Sequence, residues 1–257
     1  MLGKVLKYDL KWMAKYLIPL YIIILAGSFV IRALDLLQNQ FDFIAVFYGI
    51  MSVIFVMTLI VGFVYMAFMN IKRYLDNLFK DEGYLTHTLP VKKGTLLLSK
   101  LLTVTITFIS TIVVFMLSIF IAYYVPGLLD AFHNLIDYIS TNNLGMFFIA
   151  ILLVLILEYF FYMFLIFASI SIGYSKNGNK NINSLIYAII LYVLVQIINF
   201  IFLFIFFLLN VGNYEEIGEQ IELINTFMFS MAGLELIYVG ILYYISYRWM
   251  NKKLNLQ

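Results

Sequence analysis

Two acids stand alone in apolar sequence: Glu158, near the middle of the stretch from Gly145 to Ile172, and Glu235, in the outer part of the stretch from Thr226 to Tyr247. An ionised side chain in hydrocarbon costs a few kcal/mol or more. Such a residue lines a polar pathway, binds a proton, or bonds as a neutral acid to a neighbouring helix. The two acids can also meet in space as a membrane-embedded pair. Gln196 and Asn199, three residues apart, share one helical face and can hydrogen-bond across helices or face a wet cavity. These four residues are the candidate transport-pathway groups.

Other chemistries find no footing. The chain has 2 histidines and no cysteine, which removes thiol catalysis and thiolate metal sites. No HExxH or GxSxG motif is present. Asp130, His133 and Asp137 have helical spacing, but so small a ligand set reads as a solvated face. The segment GYSKNGNK, from Gly173 to Lys180, is a decoy for a phosphate-binding loop and fails in spacing and context. No catalytic residue, cofactor site or metal site is expected in this chain. A net charge of +2 gives no reason to expect nucleic acid.

The elements that carry these residues must lie in a membrane. Of 257 residues, 64% are hydrophobic and 12% charged, about half the charged share of a soluble domain. Roughly 20 apolar residues cross a hydrocarbon core of ~30 Å. Six stretches qualify: Tyr16 to Ala33, Phe43 to Met69, Leu96 to Tyr124, Gly145 to Ile172, Leu185 to Leu209 and Thr226 to Tyr247. Each is apolar on all faces, unlike a barrel strand, so the fold class is all-α with six transmembrane helices. No long polar linker or internal repeat divides the chain, and one membrane domain over 1–257 is the simplest organisation.

Lysine and arginine set the orientation. They cluster before the first span (Lys4, Lys7, Lys11, Lys15), between the second and third (Lys72, Arg73, Lys80, Lys92, Lys93, then Lys100), after the fourth (Lys176, Lys180) and after the last (Arg248, Lys252, Lys253). Arg32 alone falls on the other side. The positive-inside rule puts all four clusters, and both termini, in the cytoplasm of a bacterial cell. The N-terminal stretch lacks the uninterrupted apolar run and small-residue cleavage site of a signal peptide, and is expected to remain.

Three kinds of segment outside the spans carry information. Over 1–15, Lys4, Lys7, Lys11 and Lys15 share a narrow helical arc with Leu2, Leu6, Leu10 and Met13 on the other side. This predicts an amphipathic surface helix that anchors to anionic lipid, contacts a cytoplasmic partner, or does both. Asp9 sits opposite the lysine arc, where an acid must pair or face protein, which makes it a candidate partner contact. The second segment, Asn70 to Lys100, mixes charges, aromatics, two glycines and a proline. Leu75, Leu78 and Phe79 keep helical spacing, Gly83 is expected to end that helix, and Pro90 to start an extended stretch. Tyr84, Leu85 and Leu89 would be exposed unless something covers them, which marks a protein-docking segment. Third, two outer loops read as short interfacial helices. One has Leu129, Phe132, Ile136 and Ile139 on one face; the other sets Ile217, Ile221 and Ile224 against Glu215, Glu219 and Glu222.

The segment LFKDEGYLTHTLPVKKGTLLLSKLL, Leu78 to Leu102, resembles the corresponding stretch of ABC-2 type permeases of Gram-positive bacteria, and KVLKYDLKWM resembles their N-terminal arm. The six-span layout agrees along nearly the whole chain. The resemblance implies a half-transporter with an amphipathic connecting helix at about Leu2 to Lys15, including Lys4, Lys7, Asp9 and Lys11. It also implies a coupling helix within 70–95, carried by Asp76, Leu78, Phe79, Asp81, Glu82, Gly83, Tyr84, Leu85, Thr86 and Pro90. ABC ATPase subunits holding ATP and Mg would dock against both, and a second permease copy or a paralogue would complete the transporter. Short acidic outer loops suit an exporter, and an apolar, aromatic-rich wall suits a peptide, drug or lipid cargo. Two rivals stand beside this reading: an ion-coupled secondary carrier using Glu158 and Glu235, and an immunity protein that sequesters a peptide without turnover.

Overall fold

The computed structural model describes residues 1–39, 41–88, 90–124, 127–141, 144–210 and 217–252. Leu89, Glu215 and Lys253 fall outside these, as do the side chains of Asp81, Leu129, Ile217, Glu219 and Lys252. Every element is a helix, and no strand occurs among the described residues. The helices are α1 (Leu2–Leu37), α2 (Asp42–Leu78), α3 (Asp81–Thr88), α4 (Lys93–Ala122), α5 (Leu128–Thr141), α6 (Gly145–Gly173), α7 (Lys180–Leu209) and α8 (Ile217–Lys252). Six of them, all but α3 and α5, are long and apolar enough to cross a membrane. Large apolar side chains stand open along them, with Val61 65% and Phe200 71% exposed, so lipid is their solvent. This is a multi-pass membrane protein.

The chain folds as two compact units, Met1–Leu129 and Asp130–Gln257. In the first, α1 packs against α4 and α2, and α3 folds back on α2. Ile24, Ile31, Phe55 and Ala122 form a core cluster with Leu20, Met51 and Phe115 around it. The contact face of α4 is a ladder of small hydroxyl residues, Thr103, Thr107, Thr111 and Ser118, all buried. Their hydroxyls donate to carbonyls of their own helix, as from Thr111 to Thr107 at 2.8 Å. Polar atoms are thereby satisfied while the backbones stay close. Tyr21 of α1 joins the ladder through its hydroxyl, 2.9 Å from Ser110 and 2.7 Å from Thr111.

Three boundaries differ from the sequence reading. The amphipathic arm and the first span form one unbroken helix, α1, because nothing between Leu10 and Leu20 ends a helix except Pro19. A proline inside a membrane helix is tolerated when neighbouring helices support it. The second difference concerns Gly83, which lies within α3 instead of ending the preceding helix. The break comes earlier, at Phe79, whose backbone leaves the helical region. Leu78 and Phe79 are adjacent and both buried, and leaving the helix lets both turn inward, with Phe79 against Tyr74 at 5.6 Å. Third, Ile221 to Ile224 are the first turns of α8 and not a separate interfacial helix, since no glycine or proline separates them from the span. The other outer segment does form a short helix of its own, α5, with Phe132 and Ile136 exposed.

Helix lengths explain where the polar groups lie. At ~1.5 Å per residue, α2 is about 55 Å long, well beyond a hydrocarbon core of ~30 Å. Its last turns, Asn70 to Leu78, therefore project past the apolar region and carry Arg73, Asp76 and Asn77 with them.

In the second unit, α6 packs against α8 and α7. Phe164, Phe167 and Ala168 are its buried centre. Only Val195 and Phe206 of α7 are buried, so that helix is peripheral within the unit. The ends of α6 and α7 meet at Gly173, where an added Cβ would overlap the backbone of Ser184. Asn179 then caps α7, its side-chain oxygen accepting from the Asn181 and Ile182 amides, and Gly178 takes a φ of 101° that only glycine adopts without strain.

Candidate coupling site and membrane acid pair

Asp9, in the third turn of α1, is 1% exposed. A carboxylate so deeply buried is costly unless its lone pairs are filled. Three donors fill them: Lys100 Nζ and Arg73 Nε to Oδ1 at 2.6 and 2.8 Å, and Ser99 Oγ to Oδ2 at 2.7 Å. The expectation that Asp9 pairs is met inside the chain. Its oxygens are occupied by α2 and α4, so the carboxylate is not free for a partner subunit.

The network continues outward to α3. Lys100 Nζ also donates to Asn77 Oδ1 at 2.6 Å. Arg73 donates through a second nitrogen to Glu82 Oε2 at 2.8 Å, and Asn77 Nδ2 reaches the same oxygen at 3.1 Å. Thr86 Oγ1 accepts from Asn77 at 3.3 Å and donates to the Glu82 carbonyl at 2.9 Å. The Trp12 ring lies 5.4 Å from the Arg73 guanidinium and covers it. Two acids, Asp9 and Glu82, balance two bases, Arg73 and Lys100, so the cluster is neutral as a whole.

Four helices thus meet at one charged knot. Arg73 and Asn77 are four apart on α2 and face one way; Ser99 and Lys100 close the first turns of α4; Glu82 and Thr86, again four apart, hold α3 by one face. Because every charge has a directional partner, a displacement of α3 cannot occur without disturbing the ends of α1, α2 and α4.

The coupling candidates sort by direction. Leu78, Phe79, Gly83 and Thr86 face inward and are buried; Asp76 pairs with Lys80 at 3.1 Å. Glu82 turns inward with its carboxylate, although half of its side chain is open. Tyr84 and Leu85 point away, each 68% exposed, and Pro90 is exposed beside them. His87 Nε2 lies 3.1 Å from the Leu78 carbonyl, and burial, helped by the charge of Lys93, holds its pKa below the ordinary value. Lys4, Lys7 and Lys11 are all exposed on the outer arc of α1.

In the second unit, the side chains of Glu158 of α6 and Glu235 of α8 lie close enough to interact. Tyr162 lies beside Glu158, while Glu235 is 4% exposed and its Oε2 has no hydrogen-bond partner among the described residues. Asn199 accepts from the Tyr238 hydroxyl at 2.8 Å, tying α7 to α8. Gln196 is exposed on the outer side of α7 and does not join the acids.

No family model, curated protein or solved structure matches the chain.

The sequence pointed to Asp9, Glu82, Thr86, Glu158 and Glu235. It did not single out Arg73, Asn77, Ser99 or Lys100, which had served only as orientation marks or not at all. One signal was available: an acid opposite a lysine arc must find a cation, and Lys100 lies inside the third apolar stretch, where it needs an acid.

Proposed function

We propose that this chain is the membrane-spanning permease subunit of an ATP-driven exporter, with ATP hydrolysed in separate ABC ATPase subunits and both termini in the cytoplasm. One observation carries the reading: α3 is bonded to α2 through Glu82 and Thr86, the same Arg73 and Asn77 of α2 bond Asp9 of α1 and Lys100 of α4, and α3 still offers Tyr84 and Leu85 outward. A short helix outside the spans gains nothing by exposing a tyrosine and a leucine unless a protein covers them. Docked there, an ATPase that closes on ATP would push α3, and the ionic knot would pass that push to the bases of α1, α2 and α4 as a rigid-body shift. A second permease copy or paralogue would form the other wall of the pathway, and a peptide, drug or lipid of hydrophobic or amphipathic character would be moved outward.

A second reading draws on the contact of Glu158 with Glu235: an ion-coupled secondary carrier that moves protons through the acid pair. Transport into inside-out vesicles separates the two. The exporter requires ATP, stops with vanadate and persists in Glu158→Gln, whereas the carrier runs on a proton gradient without nucleotide and is lost in that variant.

A further inference from the structure

A cavity of about 390 Å³ opens beside the ionic knot of the first unit. It is lined by Asp9 and Arg73 of the knot, by the apolar Val5, Val91 and Leu96, and by Lys4. The volume is that of a small-molecule site. Its charge is uneven. Asp9 is already held by Lys100, Arg73 and Ser99, whereas Lys4 is exposed and forms no ion pair among the described residues. The cavity therefore offers one uncompensated positive charge above an apolar wall.

We propose that this cavity binds one anionic phospholipid, its phosphate at Lys4 and the start of its acyl chain along Val5, Val91 and Leu96. Charge complementarity selects the head: the free cation calls for an anion, and the buried acid, being saturated, repels none that approaches from the lysine side. The surroundings select a lipid. Lys7 and Lys11 continue from Lys4 along the same exposed arc of α1 and have no ion pairs among the described residues. A basic arc on a membrane protein concentrates anionic lipid at about 1 kcal/mol per basic residue. The site differs from general surface anchoring in being a single cavity lined by residues of the knot that holds α3. A bound lipid would brace α1 against the 90–96 segment, so that composition of the adjoining leaflet tunes how firmly α3 is held. The inference needs only the membrane location of the chain, and not the transport reading.

Native mass spectrometry of the purified full chain tests it, with phosphatidylglycerol, phosphatidylcholine and glycerol phosphate offered in turn. Wild type should retain one phosphatidylglycerol per chain, in clear preference to phosphatidylcholine. Lys4→Gln should weaken that binding about fivefold, the loss of one surface charge, and Val91→Trp should weaken it further by setting an indole in the path of the acyl chain. Equal binding of the two lipids, indifference to both substitutions, or competition by glycerol phosphate as strong as by the lipid would overturn the proposal. Because the chain has no cysteine, Val91→Cys can carry a diazirine crosslinker in native membranes. An adduct of phospholipid mass supports the site, and an adduct to a polypeptide refutes it.

Discussion

Asp9 and Lys100 lie 91 positions apart in the chain and are joined by a bond of 2.6 Å, with 1% and 2% of their side chains exposed. Each is the reason the other can be buried. Cutting the pair leaves a charge without its partner, which costs about 3–5 kcal/mol, whereas replacing both by apolar groups of similar size is close to neutral. Asp9→Leu and Lys100→Met should each lower the thermal midpoint in detergent strongly, and the double variant should lose less than the sum of the two. Additive losses in this double-mutant cycle would mean that the two residues do not act as a unit.

His87 makes the attachment of α3 sensitive to acid. Its folded pKa is lowered by burial, with Lys93 adding to the effect, so the neutral ring belongs to the docked helix. The stabilisation is complete above the unfolded value of about 6.5 and is lost as pH falls from there through the folded pKa. The protection of α3 amides, judged from their exchange rate against the intrinsic rate at the same pH, should fall as pH drops below about 6.5, and His87→Gln should flatten the response. An unchanged acid response in that variant would assign it to other groups.

The close approach at Gly173 predicts a local defect of a different kind. Any Cβ there meets the backbone of Ser184, and backbone cannot step aside as a flexible side chain can. Gly173→Val should cost about 1–3 kcal/mol through forced separation of α6 and α7, while Gly233→Ala, with open space around it, should leave the midpoint in place. The midpoints of the two variants in one detergent provide the comparison.

The six spans were legible because the hydrophobic pattern is a property of the chain alone. Where Leu185 to Leu209 was read, α7 runs from Lys180 to Leu209. Boundaries failed where tertiary contact decided them. Nothing local distinguishes Phe79 as the end of α2 from Gly83, because the break follows from burying Leu78 and Phe79 together. The knot was half legible: a lone acid such as Asp9 announces that it needs a cation, but which cation is a matter of how α2 and α4 pack. Gln196 shows the converse. Its spacing with Asn199 suggested a shared face, yet only Asn199 points to α8, since three residues are 300° of helix and one face is wide enough to split.

The outward face of α3 is the centre of the functional account. Tyr84 and Leu85 are mostly exposed, so Tyr84→Ala with Leu85→Ala should leave the thermal midpoint unchanged within about 0.5 kcal/mol. Affinity purification from native membranes in mild detergent, wild type beside this double variant, is therefore the most direct measurement. The account predicts that a P-loop ATPase co-elutes with the wild type and is absent from the variant. A wild-type chain that elutes without an ATPase, or a variant that retains it in full, would contradict the account.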